Sequence, residues 1–561
     1  MFLSSESIYG TMKAVPIGVQ SFREIRENNL YFIDKTELID SILTARGTKA
    51  FLFTRPRRFG KSLNLSMIDA YLNKNYRDNS WFDDLEISEL RPDDPEKNAY
   101  PVIMLDMKNL TVRTYETFIR RLRGAISDIC NSFIELKDSD KQTDEDRELF
   151  VNLKTKKSDD DDLCISLMKL TSMLHKEYGK KVVVLIDEYD SPINNSYGKD
   201  FQHDVLEIIR DLLSSVLKGN ESLAFGVVTG VMQIGKESIF SGLNNLKVNN
   251  ILNPEMDEMF GFTADEVKEL CDYYGHPDKF DEAKEWYDGY HFGNSDVYNP
   301  WSVLNYVDSN FRPEAYWGGT SGNNIIDDML MIPEPEVYEG LVKLGSGEAV
   351  NSEMRMTVTF SDISSGTSGI YQVMAMTGYL TAIPSDYGYD LRLPNKEMYS
   401  VFAEIILGKI DKMGIGQSTR EFCKAILSND TEEIHSKLEN ILMKCTSLRI
   451  LDKESAYQCL VLGILMNLEG NYRITADHES GEGFHDIRME RIRGKSPNVV
   501  IEIKRTRKNA RPETLQSAAE GALKQIHDRK YAYGLSGETI LYGIAFTSKT
   551  PYIVSETVIS P

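Results

Sequence analysis

The stretch AFLFTRPRRFGKSLNLSMIDAYL, residues 50–72, reads as a short apolar strand, a loop that carries the triplet GKS, and a helix. A strand, loop and helix in this order form the context that a phosphate-binding loop needs. Backbone N–H groups at the helix N-terminus point at phosphates, aided by the helix dipole. Lys61 would reach the β- and γ-phosphates of ATP, and the Ser62 hydroxyl would ligate Mg²⁺. The stretch therefore predicts a nucleotide site.

The loop departs from the general pattern GxxxxGK[ST] because Arg55 stands where the first glycine belongs. Pro56 biases Arg55 towards an extended conformation. Together with Arg57 and Arg58, Arg55 crowds the loop with charge, which either adds to nucleotide binding or faces a partner. The predicted nucleotide contacts of the loop are Arg55, Arg58, Phe59, Gly60, Lys61 and Ser62.

A second motif strengthens the nucleotide prediction. VVVLIDEYD, residues 182–190, is a hydrophobic strand that ends in adjacent carboxylates. Asp187 would hold the Mg²⁺ shell, and Glu188 is placed to orient and deprotonate the attacking water. The strand candidate PVIMLDM, residues 101–107, lies between the two motifs. An inserted strand is typical of the additional-strand, catalytic-glutamate class of P-loop ATPases.

A third strand candidate, LAFGVVTG at residues 223–230, has a polar end that offers Thr229. Its hydroxyl would sense the γ-phosphate, or the strand ends in an ordinary turn. Lys236 and Asn244 are weaker candidates for nucleotide contact.

The order of elements predicts the fold class. Up to about residue 260, strand-like runs alternate with longer helix-like stretches, which predicts an α/β fold with a parallel sheet. Helices are expected near residues 113–135 and 163–178, and the polar stretches 137–148 and 154–162 are expected to be a solvated loop. The predicted domains are residues 1–262, a helical lid or winged-helix-like middle region at 263–450, and a C-terminal α/β domain at 451–561.

These motifs resemble the bacterial AAA-ATPase-like family over roughly residues 12–330. In that family an arginine opens the phosphate loop, so Arg55 fits the resemblance. The resemblance implies an ATPase fold and no particular substrate. The segments that carry it are PIGVQSFREIRENNLYFIDKTELI (16–39), RPRRFGKSLNLSM (55–67), VVVLIDEYDSPI (182–193), TGVMQIGKESIFSGLNNL (229–246), WYDGYHFG (286–293), VYNPWSVLNY (297–306) and TSGN (320–323).

A second constellation lies in NVVIEIKR, residues 498–505. On a strand, Glu502 and Lys504 share one face because alternate side chains point the same way. Asp486 precedes Glu502 by enough residues for one hairpin to return the chain alongside. Two carboxylates and a lysine on neighbouring strands would hold Mg²⁺ or Mn²⁺ and activate a water for phosphodiester cleavage.

The C-terminal segments ESGEGFHDI (479–487), IEIKR (501–505) and ALKQIHDRKYA (522–532) resemble the PD-(D/E)XK nuclease superfamily over about residues 451–550. The resemblance implies that Asp486, Glu502 and Lys504 are catalytic, with Asp486 and Glu502 as metal ligands. It adds Gln525 and Glu454 as supporting residues. His485 stands where the family has a proline.

Charge and composition set limits on partners and location. The formal net charge is −22, yet residues 486–530 hold twelve Lys and Arg against six Asp and Glu. This local excess either binds DNA or RNA or is a solvated basic face. No two of the six cysteines have CxxC spacing, and neither a signal peptide nor a membrane-spanning apolar run is evident. We expect a cytoplasmic protein without a membrane partner, and a homo-oligomer is compatible with the sequence.

Three functions are compatible with these patterns. The first is an ATP-dependent nuclease or nucleic-acid-processing enzyme, in which the N-terminal domain hydrolyses ATP and the C-terminal domain cuts. The second is an ATP-operated switch or signalling protein whose nuclease-like domain binds a partner without cleavage. The third and weakest is a scaffold with an inactive nucleotide site.

Overall fold

The chain forms two compact units. The first comprises Met1–Met329 and Asn351–Glu397, and the second comprises Leu330–Val350 and Met398–Pro561. The predicted middle region is thus shared between the two units, and the predicted division into three domains stays a prediction. The computed structural model describes residues 12–45, 47–110, 113–233, 246–318, 340–355 except 342 and 346, 367–402, 416–445, 454–480 except 466, 467, 469 and 470, and 483–560.

A five-stranded parallel sheet organises the first unit. Its strands are β1 (Ala50–Thr54), β2 (Val102–Asp106), β3 (Val182–Asp187), β4 (Leu223–Gly230) and β5 (Leu246–Asn249). They lie in the order β2-β3-β4-β1-β5, and every neighbouring pair is parallel. β4 lies between β1 and β3, as the additional-strand class requires. The predicted P-loop fold class is confirmed.

The helices of this part of the chain pack on the sheet or on one another, and the strands are apolar because they are buried. They are α1 (Phe22–Glu27), α2 (Glu37–Thr44), α3 (Lys61–Leu72), α4 (Glu86–Leu90), α5 (Tyr115–Asn131), α6 (Asp144–Lys154), α7 (Asp160–Tyr178), α8 (Ser191–Ser196) and α9 (Gln202–Leu217). All five residues of β1 and all six of β3 are buried.

The acidic stretch between β2 and β3 is more ordered than predicted. A solvated loop was expected over residues 137–148 and 154–162, but α6 and the start of α7 occupy much of it. The Thr143 hydroxyl caps α6, and three acids fill its first turn. Acids at a helix N-terminus are stabilised by the helix dipole, so an acidic run after a cap favours a helix. Phe150 and Leu153 then bury one face of α6.

The rest of the first unit combines helices with two small sheets. Its elements are α10 (Ala264–Tyr273), α11 (Phe280–Tyr287), β6 (Tyr290–Phe292), β7 (Ser295–Val297), α12 (Pro300–Asp308), β8 (Val350–Ser352), α13 (Thr367–Thr377), β9 (Thr381–Ser385) and β10 (Gly388–Arg392). β6 pairs with β7, and the second sheet has the order β8-β10-β9.

The second unit is built on a mixed five-stranded sheet. Its elements are α14 (Gly416–Ser428), α15 (Thr431–Cys445), α16 (Glu454–Leu465), β11 (Tyr472–Ser480), β12 (Gly483–Arg491), β13 (Asn498–Arg505), α17 (Pro512–Asp528), β14 (Gly537–Thr547) and β15 (Thr550–Ser560). The order is β11-β12-β13-β14-β15, and only β13 and β14 are parallel, joined by α17.

Close packing places α17 against the sheet. A Cβ at Gly543 of β14 would lie 2.1 Å from the carbonyl oxygen of Ala519 in α17, so only glycine permits this approach. In the part of the chain that the structure describes, no helix is long and apolar enough to cross a membrane. The cytoplasmic location stays a prediction.

Candidate functional site

The loop between β1 and α3 takes a turn that depends on left-handed backbone. Arg58 has φ +71° and Gly60, which caps α3, has φ +76°. The N–H of Arg55 donates to the carbonyl oxygen of Gly230 at 3.1 Å, so the start of the loop lies beside the end of β4. The first turn of α3 leaves N–H groups without helical partners, which is the arrangement that binds phosphate.

Lys61 lies inside this loop. Its Nζ donates to the carbonyl oxygens of Arg55 at 2.9 Å and Pro56 at 2.8 Å. Burial lowers the pKa of the Lys61 ammonium, and the charges of Glu188 and Asp187 oppose that shift. The lysine is therefore held at the phosphate end of α3 by acceptors of its own loop.

Three polar side chains meet at the carboxyl edge of the parallel sheet. Asp187, at the end of β3, is 4% exposed. The Ser62 hydroxyl donates to its Oδ2 at 2.5 Å, and the Thr229 hydroxyl donates to its Oδ1. The carboxyl ends of neighbouring parallel strands share one edge, so residues distant in the chain come together there.

Glu188 follows Asp187 with φ +50°, an uncommon conformation for a glutamate. Burial raises the pKa of its carboxyl, Lys61 opposes the rise, and Asp187 adds to it. Sequence reasoning missed Asp190, whose Oδ2 accepts from the N–H groups of Val231 at 2.9 Å and Met232 at 3.1 Å. Its position as the third acid of the segment DEYD, residues 187–190, could have identified it from the sequence.

The Arg55 guanidinium points into the protein. It is buried and donates to the carbonyl oxygen of Asn249 at 3.1 Å and to its Oδ1 at 2.6 Å, which ties the loop to β5. It also lies over the rings of Phe260 and Phe292, at 5.0 and 5.3 Å. Burial lowers the pKa of Arg55 to about 9. This side chain braces the loop, and any contact of Arg55 with nucleotide stays a prediction.

The side chains of Phe59 and Arg58 pack on aromatic rings elsewhere in the first unit. The Phe59 ring is buried 5.0 Å from the rings of both Tyr290 and Phe292. The Arg58 guanidinium lies 4.0 Å from the centre of the Trp301 ring. Nucleotide contacts by Arg58 and Phe59 remain predictions. Lys236, Asn244 and the TSGN segment at 320–323 lie outside the described residues.

An apolar cavity of about 70 Å³ adjoins the loop. Gly60 and Leu63 line it from the loop and α3, and Tyr31 and Phe32 line it from the segment before α2. Sequence reasoning did not assign these two aromatic residues, although both fall within the 16–39 segment.

The second constellation assembles as its strand pattern predicts. β12 runs antiparallel to β13, and Asp486 on β12 accepts through Oδ2 from the N–H of Ile503 at 2.6 Å. Lys504 Nζ donates to Glu502 Oε1 at 2.8 Å, and Gln525 Nε2 on α17 donates to the same oxygen at 2.5 Å. Asp486, Glu502, Lys504 and Gln525 therefore lie together.

Two residues of α16 also contact the site. Glu454 accepts from the N–H of Arg505 at 2.9 Å, and its Oε1 lies 3.6 Å from Lys504 Nζ. Gln458, which sequence reasoning missed, donates to Asp486 Oδ1 at 2.7 Å. It lies four residues after Glu454, so both face the sheet from the same side of the helix.

Burial and mutual repulsion dominate the electrostatics of this site. Burial raises the pKa of Asp486, and the charge of Glu502 raises it further. Burial also raises the pKa of Glu502, although Lys504 opposes the shift. Burial opposes the charged form of Lys504, but its hydrogen bond to Glu502 and the nearby acids outweigh this and raise its pKa.

Two family models match the chain where the two sites lie. Residues 16–240 match the model described as "Predicted AAA-ATPase", and residues 452–556 match the PD-(D/E)XK nuclease superfamily. The chain thus carries an AAA-ATPase-like region at residues 16–240 and a PD-(D/E)XK nuclease-superfamily region at residues 452–556. The predicted fusion is confirmed, and both families point to hydrolase chemistry with nucleotide and divalent metal.

One relative and one solved structure accompany these matches. The relative is described as "Uncharacterized protein in vnfD 5'region" from Azotobacter chroococcum mcd 1. It is 27% identical over 428 residues, which cover 74% of this chain and 75% of the relative. The structure is the Aeropyrum pernix ORC2 protein in ADPNP-ADP complexes, 10% identical, covering 67% of this chain and 92% of that one. Its TM-score of 0.23 is too low to bear on fold or function.

The nuclease-superfamily site has one feature that suits a cation. Among the described residues no donor reaches the buried Oε2 of Glu502, so this oxygen is an unsatisfied acceptor. Asp486 and Glu502 supply the hard oxygen ligands that Mg²⁺ prefers. No group of three or more His, Cys, Asp or Glu side chains within the described ranges is arranged to hold a metal ion. If a cation binds here, Asp486 and Glu502 would supply two carboxylate ligands to it.

Proposed function

We propose that this chain hydrolyses ATP with Mg²⁺ and that its nuclease-superfamily domain cleaves nucleic acid with Mg²⁺ or Mn²⁺. The observation that carries the proposal is the pairing of two phosphate-type sites in one chain. One centres on Asp187 with Ser62 and Thr229, and the other centres on Glu502 with Asp486 and Lys504.

In the ATPase half, the N-terminus of α3 receives the phosphates and Lys61 neutralises their charge. Ser62 and Asp187 would hold the cation, which supplies charge neutralisation at the β- and γ-phosphates. Thr229 lies beside Asp187, where its hydroxyl reads the γ-phosphate. Glu188 accepts the proton of the attacking water, and its partly buried carboxyl with a raised pKa suits a general base.

The apolar cavity beside the loop supports an adenine nucleotide as substrate. Tyr31 and Phe32 line this cavity together with Gly60 of the phosphate loop, so aromatic surface that suits a base lies beside the loop.

In the nuclease half, Asp486 and Glu502 would hold the cation, which polarises the scissile phosphate and acidifies a bound water. Lys504 stabilises the charge that develops on the phosphate. Gln525 and Glu454 orient Glu502 and Lys504 through the hydrogen bond and ion pair described above. DNA or RNA is the proposed partner, and cleavage assays on both decide which of them is preferred.

The experiment is a paired assay of ATP hydrolysis and nucleic-acid cleavage, with and without DNA, on the wild type, Lys61→Ala and Lys504→Ala. We expect Lys61→Ala to lose ATP hydrolysis and Lys504→Ala to lose cleavage while hydrolysing ATP normally. ATP hydrolysis without cleavage of any DNA or RNA substrate would reject the nuclease half. That result would favour the alternative, an ATP-operated switch whose nuclease-like domain binds a partner.

A further inference from the structure

The basic residues of the nuclease-superfamily domain fall into two groups at opposite ends of β13. Arg507 and Arg511 are exposed in the loop that follows the strand, shortly after Lys504 in the sequence. A second group lies in the turns before β13 and before β14. We name it the distal patch and define it as Arg493, Lys495, Arg529, Lys530 and Tyr533, all exposed.

Two turns bring the distal patch together. β13 and β14 are parallel neighbours with Asn498 opposite Thr539, so the turns that precede them lie side by side. Asn498 Nδ2 donates to the carbonyl oxygen of Ser536 at 3.0 Å, which ties the start of β13 to the turn before β14. The excess of Lys and Arg over residues 486–530 includes both the distal patch and the basic residues that follow Lys504.

Tyr533 is held outwards by a rigid turn. Its side chain is 76% exposed, although Tyr531 two residues earlier is buried. Arg488 Nη1 donates to the carbonyl oxygen of Tyr533 at 3.0 Å. The N–H of Tyr533 donates to the carbonyl oxygen of Lys530 at 2.9 Å. An aromatic ring kept in water by a fixed backbone is available for contact with a partner.

Charge around the ring is predominantly positive. Glu490, Asp528 and Glu538 are the acids nearest in sequence to the two turns, and Glu490 lies 3.9 Å from Arg473. The four basic residues of the patch, with Arg488 and Arg491 beneath them, outnumber these acids. An exposed aromatic ring among basic side chains suits unpaired nucleotides, because phosphates contact the cations while a base stacks on the ring.

We propose that the distal patch binds a single-stranded stretch of nucleic acid, with phosphates on Arg493 and Lys495 and an unpaired base on Tyr533. The inference rests on the proposed action on nucleic acid and names a contact outside the reactive site. Glu502 lies four positions after Asn498 on β13, so the start of the strand beside the patch is about 13 Å from Glu502. It holds the strand away from the bond that is cut.

The test measures binding to the full chain that carries Glu502→Gln, so that cleavage does not consume the probe. The probe is a fluorescent oligothymidylate of about 20 nucleotides, longer than the roughly 4–16 nucleotides of a typical single-strand site. The variants are Arg493→Glu with Lys495→Glu, and Tyr533→Ala. Controls are Lys424→Glu on α14 and Tyr387→Ala, both exposed in the folded chain.

We expect the double charge reversal to weaken binding by at least about 10-fold and to lower the salt slope by about 1.4, as two lost phosphate contacts predict. Tyr533→Ala should weaken binding by about 5-fold to 100-fold, the usual value of one stacked base. The two controls should leave affinity unchanged. Circular dichroism of each variant confirms that the fold is intact.

Unchanged affinity and salt slope in the patch variants would overturn the inference and leave the proposed nuclease untouched. Patch-dependent binding by a wild type that cuts nothing would instead reject the nuclease and retain the inference. Patch-dependent binding to phosphatidylserine vesicles, with no binding to the oligonucleotide, would also overturn it.

Discussion

Ser62 and Asp187 lie 125 residues apart in the chain, yet the Ser62 hydroxyl donates a 2.5 Å hydrogen bond to Oδ2 of Asp187. The bond joins the first turn of α3 to the end of β3. Both oxygens are the hard type that Mg²⁺ prefers, and both lie beside the loop that holds Lys61. The pair is therefore the point where the two predicted nucleotide motifs become one site.

Asp187→Asn should lower the rate of ATP hydrolysis by roughly 100-fold, because it removes the charge that faces the cation. Steady-state ATPase assays over a range of Mg²⁺ concentrations measure the loss. The matched control is Asp106→Asn, since Asp106 ends the neighbouring strand β2 directly opposite Asp187. Equal losses in the two variants would contradict a specific role for Asp187.

Arg55→Lys should lower the free energy of unfolding of the first unit by about 3 kcal/mol, the scale for breaking a buried charged network. A lysine cannot reproduce the guanidinium contacts with the carbonyl and amide oxygens of Asn249. Urea unfolding without nucleotide, followed by tryptophan fluorescence, measures the change. All four tryptophans of the chain lie in the first unit.

The control for Arg55 is Arg23→Lys, because Arg23 forms an exposed ion pair with Glu27 and should change stability by under about 0.5 kcal/mol. A variant Arg55→Lys of normal stability that binds ATP weakly would instead support direct contact between Arg55 and nucleotide.

Glu397 predicts a pH dependence of stability. Its carboxyl is buried, accepts from the Ser302 hydroxyl at 2.9 Å and the N–H of Trp317 at 2.8 Å, and has no donor to Oε2 among the described residues. Burial raises its pKa from 4.5 to about 7. Between pH 4.5 and about 7, the Glu397 carboxyl therefore keeps its proton in the folded state and loses it in the unfolded state. The free energy of unfolding falls as pH rises through this range.

The expected fall is about 3 kcal/mol between pH 4.5 and 7, with no further change above it. Glu397→Gln removes the ionisation. The free energy of unfolding of the variant minus that of the wild type should therefore be larger at pH 8 than at pH 5. Urea unfolding by tryptophan fluorescence at both values measures it. Glu314→Gln, at an exposed position, is the control. Parallel pH profiles for wild type and Glu397→Gln would reject the assignment.

Gln525→Leu should reduce cleavage about 10-fold to 100-fold, chiefly by weakening metal affinity, because Gln525 orients the Glu502 carboxylate. Cleavage rates are measured over a range of Mn²⁺ concentrations. A weaker metal affinity raises the Mn²⁺ concentration needed for half of the maximal rate, whereas another defect lowers the maximal rate itself. Gln516→Leu is the matched control, since Gln516 lies exposed on the same helix and contacts Glu520. A loss of maximal rate alone would argue against a positioning role.

The strands that carry chemistry were predictable from local pattern. The runs 50–54, 223–230 and 498–505 are observed with the bounds that their apolar residues and flanking turns predict. The charge run of helix α6 reads as solvated, so the sequence pattern does not predict this helix. The Thr143 cap, the acids of its first turn and the burial of Phe150 and Leu153 together stabilise it.

The sequence by itself determined the fold class, the two domain families and the chemical types of Lys61, Asp187, Glu502 and Lys504. These depend on residue type and spacing along one segment, which the chain carries before it folds. Only the tertiary structure decided where Arg55 points, because Asn249 reaches it from a strand almost two hundred residues later. It also separated the basic residues into two groups, since the ends of β13 lie apart in space although their residues are close in sequence.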